Sequence, residues 1–197
     1  METILVPLDS SSRAEQALPY AHLLAGVLGA RVLLLQVLPP EEYWHVHRQP
    51  SLHVLRVNGT GGVDTRGCNP VLNLVQQQAA DYLATQVVAL RQAGIDTETA
   101  VRFGAPARII SDVAETAHVG LIVLTAHRAS RFRHGLSGSI AAALLHVCTT
   151  PLLIIHANGP QHVGPALQRI LVPLDGSPVA RQALRWRCGS RVRPMRS

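Results

Sequence analysis

The sequence predicts an α/β fold in which five parallel strands form a doubly wound sheet with helices on both faces. Short apolar runs alternate with segments of helical periodicity, so strands and helices follow one another along the chain. Residues 4–18 (ILVPLDSSSRAEQAL) recur as residues 170–184 (ILVPLDGSPVARQAL), with eleven of fifteen positions identical at an offset of 166. Each copy is a strand, a loop and a helix start, and open α/β sheets bind ligands at such junctions.

The first copy predicts one strand and one helix. Residues 3–8 are a short apolar run, as expected of a buried parallel strand. The serines at 10–12 are candidate N-caps for a helix whose apolar positions recur at steps of three and four over residues 14–28. Gly29 stands where a helix-ending glycine belongs. Pro19 interrupts the helical pattern, and we expect it to bend the helix or to leave one carbonyl unpaired.

The middle of the chain predicts a strand, a long loop and a further helix. Residues 31–38 (RVLLLQVL) form the second strand, which two prolines end. Residues 41–69 show no period and are rich in glycine, so they are expected to form a long surface loop. A helix is expected from Pro70 to about Ala93.

The remaining elements follow the same alternation. They are a strand at 97–101, a helix at 107–117 after the turn Gly104-Ala105-Pro106, a strand at 119–125, a polar loop at 126–137, a helix at 138–146 and a strand at 152–156. Right-handed crossovers then favour the strand order 3-2-1-4-5. Residues 7–10 and 125–139 would meet at the crevice between strands 1 and 4.

Composition excludes several classes of protein. Hydrophobic residues make up 47% of the chain and charged residues 15%, and no apolar run approaches the ~18 residues that cross a bilayer. A cytoplasmic protein without membrane contact is therefore expected. The net charge of +6 comes mostly from the arginines after residue 184, because residues 1–184 hold 13 Arg and 12 acidic residues. Nucleic acid is thus an improbable partner of the folded domain.

Metal and disulfide sites are not predicted. Cys68, Cys148 and Cys188 are odd in number and far apart, which favours isolated reduced thiols. His45 and His47 form one His-x-His pair in the long loop. Such a pair could chelate a metal ion, but solvated histidines without a metal are the commoner case. The sequence contains no nucleophile elbow, and it has no Walker lysine because it has no lysine at all. No catalytic residues are therefore predicted.

An anion site is suggested at the exit of the fourth strand. Gly138 and Ser139 precede a helix, and a glycine and a hydroxyl at a helix N-terminus offer free N–H groups to a phosphate. The alternative is a plain glycine turn with a serine N-cap, which is the commoner arrangement. Asp9 has two readings as well: a ligand contact, or a cap for the N–H groups of residues 11 and 12.

An ordered set of motifs resembles the universal stress protein family. The set consists of ILVPLDSS at the start, Gly104-Ala105-Pro106, LIVLTAH at the fourth strand, and GSIA with TPLLIIH near residue 156. The resemblance covers residues 2–157 and implies a Rossmann-like domain. Through the repeat, the chain looks like a tandem member: a domain at 1–157, a linker at 158–168, and at 169–197 the truncated start of a second domain with an Arg-rich tail.

The resemblance also implies an ATP site. In nucleotide-binding members the phosphate loop reads G-x-x-G-x9-G-[ST]; here Gly138 and Ser139 match, whereas Thr125 and Arg128 stand at the first two glycine positions. Asp9 would lie near the adenine, Val37 would contact the base, and Ser139 and Ile140 would donate to phosphate. The expected nucleotide-binding residues are Pro7, Leu8, Asp9, Ser10, Val37, Thr125, His127, Arg128, Gly138, Ser139 and Ile140.

Two functions follow from these expectations. The first is a non-catalytic stress-response module that binds ATP or a related adenine nucleotide; weak hydrolysis would be an addition to it. The alternative is a nucleotide-free dimerisation scaffold of the same fold. In both cases the edge of the fifth strand is the expected surface for a homodimer.

Overall fold

The computed structural model describes residues 2–38, 70–126, 139–156, 171–178 and 180. Five strands form one parallel sheet in the order β3-β2-β1-β4-β5, which confirms the predicted order. The predicted long loop, the phosphate loop at 127–138, the linker and the Arg-rich tail lie outside the described residues. The strands are β1 Thr3–Leu8, β2 Arg31–Leu38, β3 Thr97–Phe103, β4 Val119–Ala126 and β5 Leu152–His156.

Four α-helices lie between these strands in the described residues, and their bounds lie within one residue of the prediction except at the first. That helix starts as a 3-10 turn, Ala14–Ala17, and becomes α-helical only at Leu18. Pro19 therefore occupies the first turn of the α-helix, where its missing N–H would be unpaired in any case. Gly29 ends the helix with φ 63°, as predicted. The helices are α1 Leu18–Leu28, α2 Pro70–Gln92, α3 Pro106–Thr116 and α4 Ser139–Val147.

The sheet buries a hydrophobic core on each face, because successive side chains of a strand point to opposite sides. One core cluster joins Val6 and Leu34 with buried residues of α1 and α2. The other joins Leu5 and Leu35 with buried residues of α3 and α4. Each fully buried aliphatic side chain contributes about 1.5–3 kcal/mol to folding. Continuous apolar runs such as RVLLLQVL are thus explained by helices on both sides.

The pairing of β1 with β4 ends nearer to the start of the strands than the pairing of β1 with β2 or of β4 with β5. The last β1–β4 pair is Leu5 with Ile122, whereas β1 stays paired with β2 as far as Leu8 and Gln36. Arg31 N donates to Glu2 O, so even-numbered residues of β1 bond towards β2 and odd-numbered ones face β4. Pro7 faces β4 and has no N–H to donate. The pairing of β1 with β4 therefore stops short of their carboxyl ends, which is the place where the sequence predicts a crevice.

The second copy of the repeat forms no strand in the residues that the structure describes. Residues 171–175 have no regular secondary structure, and Leu171 is 91% exposed. In the first copy the same letters form β1 because β2 and β4 supply partners on both sides. The strand expected at the start of the second copy is thus not formed by residues 171–175.

Candidate functional site

The carboxyl end of β1 contributes one core residue and one surface residue to the candidate site. Leu8 is only 4% exposed and belongs to the core beneath α1 and α2. Because the side chain of Leu8 is buried, the main-chain atoms of Leu8 are the part that would make its predicted ligand contact. Pro7 is half-buried and, by alternation with Leu5, lies on the opposite face, where β2 places Val37. Pro7 and Val37 thus form an apolar surface on one face.

Asp9 organises the loop that follows β1. Its Oδ1 accepts hydrogen bonds from Ser11 N at 3.0 Å and from Ser11 Oγ at 2.6 Å. Ser11 Oγ in turn accepts from Ala14 N at 3.1 Å, at the start of the 3-10 turn. Of the two N–H groups that the capping reading of Asp9 names, at residues 11 and 12, the one of residue 11 is thus bonded. Both Asp9 and Ser10 are exposed, so this loop also faces solvent at the crevice.

The same turn forms in the second copy of the repeat. Asp175 Oδ1 accepts from Ser177 N at 2.8 Å, and Ser177 Oγ accepts from Ala180 N at 3.0 Å. The hydrogen bond from the Ser177 hydroxyl lowers the pKa of Asp175 below its usual value. The hydrogen bonds of this turn are therefore supplied by the local sequence Asp-x-Ser, and they form in the second copy without a strand before them.

The middle residue of this turn adopts the left-handed conformation in both copies. Gly176 has φ 83° and Ser10 has φ 63°. Glycine takes this conformation without strain, whereas a residue with a Cβ is destabilised there by about 1–3 kcal/mol. The first copy thus keeps a strained serine just after the carboxyl end of β1.

Gln36, which the sequence analysis did not select, is bonded to that serine. Its Nε2 donates to Ser10 Oγ at 2.9 Å, and its side chain is only 6% exposed. Its Oε1 is buried and has no hydrogen-bond partner among the described residues. A buried unsatisfied acceptor typically destabilises a fold by about 1–3 kcal/mol. The one signal in the sequence was a single polar residue inside RVLLLQVL.

A second contact that the sequence analysis did not predict joins α2 to the 3-10 turn after the Asp9 loop. Tyr82 Oη of α2 donates to Glu15 Oε1 at 3.1 Å, and Gln86 Nε2 donates to the same oxygen at 3.5 Å. Burial raises the pKa of Tyr82 well above its ordinary value, and the charges of Glu15 and Asp9 add to the rise. The phenol stays protonated and ties α2 to the 3-10 turn.

The predicted residues on β4 and α4 are placed in part. Thr125 is half-buried and alternates with Val123, so it shares the face of Leu8 and Gln36 and not that of Val37. Ile140 is 36% exposed in the first turn of α4, which begins at Ser139. Three predicted residues lie outside the described part of the chain, namely His127, Arg128 and Gly138, as does the side chain of Ser139.

Neither a metal cluster nor a membrane span is found in the described part of the chain. No group of three or more His, Cys, Asp or Glu side chains within it is placed to hold a metal ion. None of its helices combines the length and the apolar character needed to cross a bilayer. The His45–His47 pair and the thiols of Cys68 and Cys188 lie outside these residues, and Cys148 is a free, partly buried cysteine.

Solved structures share this fold. A universal stress protein from Archaeoglobus fulgidus DSM 4304 is 22% identical with a TM-score of 0.67, covering 93% of this chain and 60% of that one. A universal stress protein from Archaeoglobus fulgidus in complex with dAMP is 21% identical with a TM-score of 0.50, covering 78% and 97%. A universal stress protein in complex with cAMP is 18% identical with a TM-score of 0.52, covering 79% and 97%.

The family itself is shown by sequence. No curated protein sequence matches this chain. The model of the universal stress protein family, however, matches residues 1–156, which include the strands β1–β5 and the helices α1–α4 described above. The chain therefore belongs to the universal stress protein family.

Proposed function

We propose that this chain is a cytoplasmic stress-response module that binds ATP, or a related adenine nucleotide, at the carboxyl ends of β1 and β4. The observation that carries the proposal is the end of β1–β4 pairing at Leu5 and Ile122, because open α/β sheets bind ligands in a crevice at this switch point of the strand order. The complexes of two family structures with cAMP and dAMP support the choice of an adenine nucleotide.

The residues around the crevice have the chemistry that such a ligand needs. Pro7 and Val37 offer an apolar surface to one face of a base. The Asp9 carboxylate accepts hydrogen bonds and is held in place by Ser11, so it suits ribose hydroxyls or a base amine. The start of α4 at Ser139 offers the N–H groups of a first helical turn and the positive end of the helix dipole, which suit a phosphate.

Replacing Asp9 by asparagine is expected to weaken ATP binding by about tenfold, because a charge-assisted hydrogen bond is replaced by a neutral one. Asparagine keeps the Oδ1 acceptor of the turn, so the loop should persist. Equilibrium dialysis with labelled ATP measures the effect. Asp175→Asn is the matched control, since it makes the same change in the same turn of the second copy, away from the carboxyl end of β1 in sequence.

Two results would contradict the proposal. Absence of ATP retention by the unaltered protein at millimolar ATP would remove nucleotide binding altogether. Equal weakening by Asp9→Asn and Asp175→Asn would show that the carboxylate at the crevice has no special role.

We propose binding without dedicated catalysis. The described groups at the crevice are a turn-bonded carboxylate, hydroxyls and an amide, which suit recognition. If the protein hydrolysed ATP weakly at this site, phosphate release would be seen and would be lost in Ser139→Ala. Turnover that persists in Ser139→Ala would place hydrolysis elsewhere.

A homodimer through β5 is proposed with the same fold. In the described sheet β5 pairs with β4 alone and ends the strand order, and four of its five residues are half-buried. Leu145 and Val147 of α4, which precedes β5, are 50% and 57% exposed. Open edges and exposed apolar residues favour association with a second copy. A dimer that retains no ATP would favour the nucleotide-free scaffold instead.

We expect sedimentation equilibrium to give twice the chain mass of 21.2 kDa. Val147→Lys should shift the mass towards the monomer, because it places a charge on the exposed apolar surface. Val27→Lys, at a 70% exposed site on α1, is the control. A monomeric unaltered protein would exclude the homodimer.

A further inference from the structure

Gln36 is set apart from the other buried polar residues by its place and its bonding. The described core holds three buried polar residues, Thr3, Gln36 and Thr97. Thr3 Oγ1 accepts from Arg31 Nε at 2.8 Å, and Thr97 Oγ1 donates to Ile95 O at 3.0 Å. Both threonines begin their strands, at the amino edge of the sheet. Gln36 lies at the carboxyl edge, and one end of its amide has no partner among the described residues.

Two unfavourable features meet at the hydrogen bond between Gln36 and Ser10. The serine has φ 63°, and the glutamine buries an unsatisfied carbonyl. Each destabilises the fold when considered alone. In the second copy of the turn, Gly176 takes the left-handed conformation with no strain to offset. In the first copy the hydrogen bond from Gln36 therefore offsets the strain of the left-handed conformation at Ser10, whereas in the second copy glycine avoids that strain.

We propose that Gln36 is a positioning residue for the nucleotide site: its amide holds Ser10 in the left-handed conformation and so fixes the direction of the Asp9 carboxylate. Leu8 is the register partner of Gln36, so the amide lies directly beside the end of β1, where the Asp9 loop begins. The hydrogen bond from Gln36 to Ser10 joins residues 26 positions apart, so it ties the loop after β1 to β2. The hydrogen bonds within the turn join only residues of the turn itself and make no such link. This inference rests on the proposed function.

The test is a double-mutant cycle on Gln36 and Ser10 with ATP as the probe. Gln36→Leu should weaken ATP binding by about tenfold, because Ser10 loses the bond that offsets its strain. In the Ser10→Gly background the same Gln36→Leu change should alter the affinity less than about twofold, since glycine needs no such support. Thr97→Val is the control for a buried polar residue at the other edge, and it should leave the affinity unchanged.

The readouts separate positioning from stability. Thermal unfolding of every variant reports the effect on the fold, and the dissociation constant for ATP reports the effect on the site. If Gln36→Leu lowers the unfolding temperature but leaves the ATP affinity intact, the positioning role is wrong. An equal loss of affinity from Gln36→Leu in both backgrounds would overturn it as well, because the loss would not act through Ser10.

Failure of the proposed function would be recognised separately. If the unaltered protein retains no ATP, the proposal of nucleotide binding is wrong. Whether Gln36 holds the loop is then tested by the hydrogen exchange rate of the Ser11 amide, whose N–H is bonded to Asp9. Faster exchange in Gln36→Leu, reversed in Gln36→Leu with Ser10→Gly, would support the hold. Unchanged exchange in Gln36→Leu would overturn it.

Discussion

Replacing Leu83 by alanine is expected to lower the free energy of unfolding by about 2–5 kcal/mol, because the truncation removes buried contacts and leaves a cavity. Leu83 lies on α2 with 0% exposure, in the same core cluster as Val6 and Leu34. A domain of this size is stable by about 5–15 kcal/mol, so the loss would be a large fraction of the total. Urea denaturation followed by circular dichroism measures it.

Leu74→Ala is the matched control on the same helix. Leu74 is 58% exposed, so the same truncation there is expected to change stability by less than about 0.5 kcal/mol. Similar losses at the two positions would mean that the inner face of α2 does not pack on the sheet as the structure shows.

Replacing Gly104 by alanine is expected to destabilise the fold by about 1–3 kcal/mol through backbone strain. Gly104 has φ 145°, a conformation that residues with a side chain rarely adopt, and it joins β3 to α3. A Cβ at this position would lie 2.9 Å from Ile109 Cγ1 and 3.0 Å from Ile109 Cδ1, so the isoleucine would also have to move. Thermal denaturation measures the combined loss.

The same substitution at Gly26 is expected to have the opposite sign. Gly26 lies inside α1, and a Cβ there would meet nothing within 4 Å. Alanine in a helix is favoured over glycine by about 0.5–1 kcal/mol, so Gly26→Ala should stabilise the protein. If both variants lost the same stability, the conformation of Gly104 would not be the cause.

The strands and their order were predictable because both follow from strong, general rules. Apolar runs of five to eight residues indicated four of the strands, and an alternation of polar and apolar residues indicated β3. Right-handed crossovers then reduced the possible orders to one natural choice. The start of the first helix was less predictable. Apolar spacing cannot distinguish a 3-10 turn from an α-helix, so Ala14–Ala17 was read as part of the helix that begins at Leu18.

The candidate site was predictable only where its bonds are local. The capping role of Asp9 could be inferred because its partner, Ser11, is two residues away. The bonds of Gln36 to Ser10 and of Tyr82 to Glu15 join residues that are 26 and 67 positions apart. No local pattern marks such pairs, because the fold brings them together. The division of Val37 and Thr125 between opposite faces likewise emerged from strand alternation in the assembled sheet.

The repeated line separates what the sequence determined by itself from what tertiary structure decided. Asp9 and Asp175 form the same turn, because its hydrogen bonds join residues two and three positions apart. The letters before that turn form a strand in the first copy but not in the described residues of the second. A turn carries its own bonding partners, whereas a strand takes its partners from its neighbours, here β2 and β4.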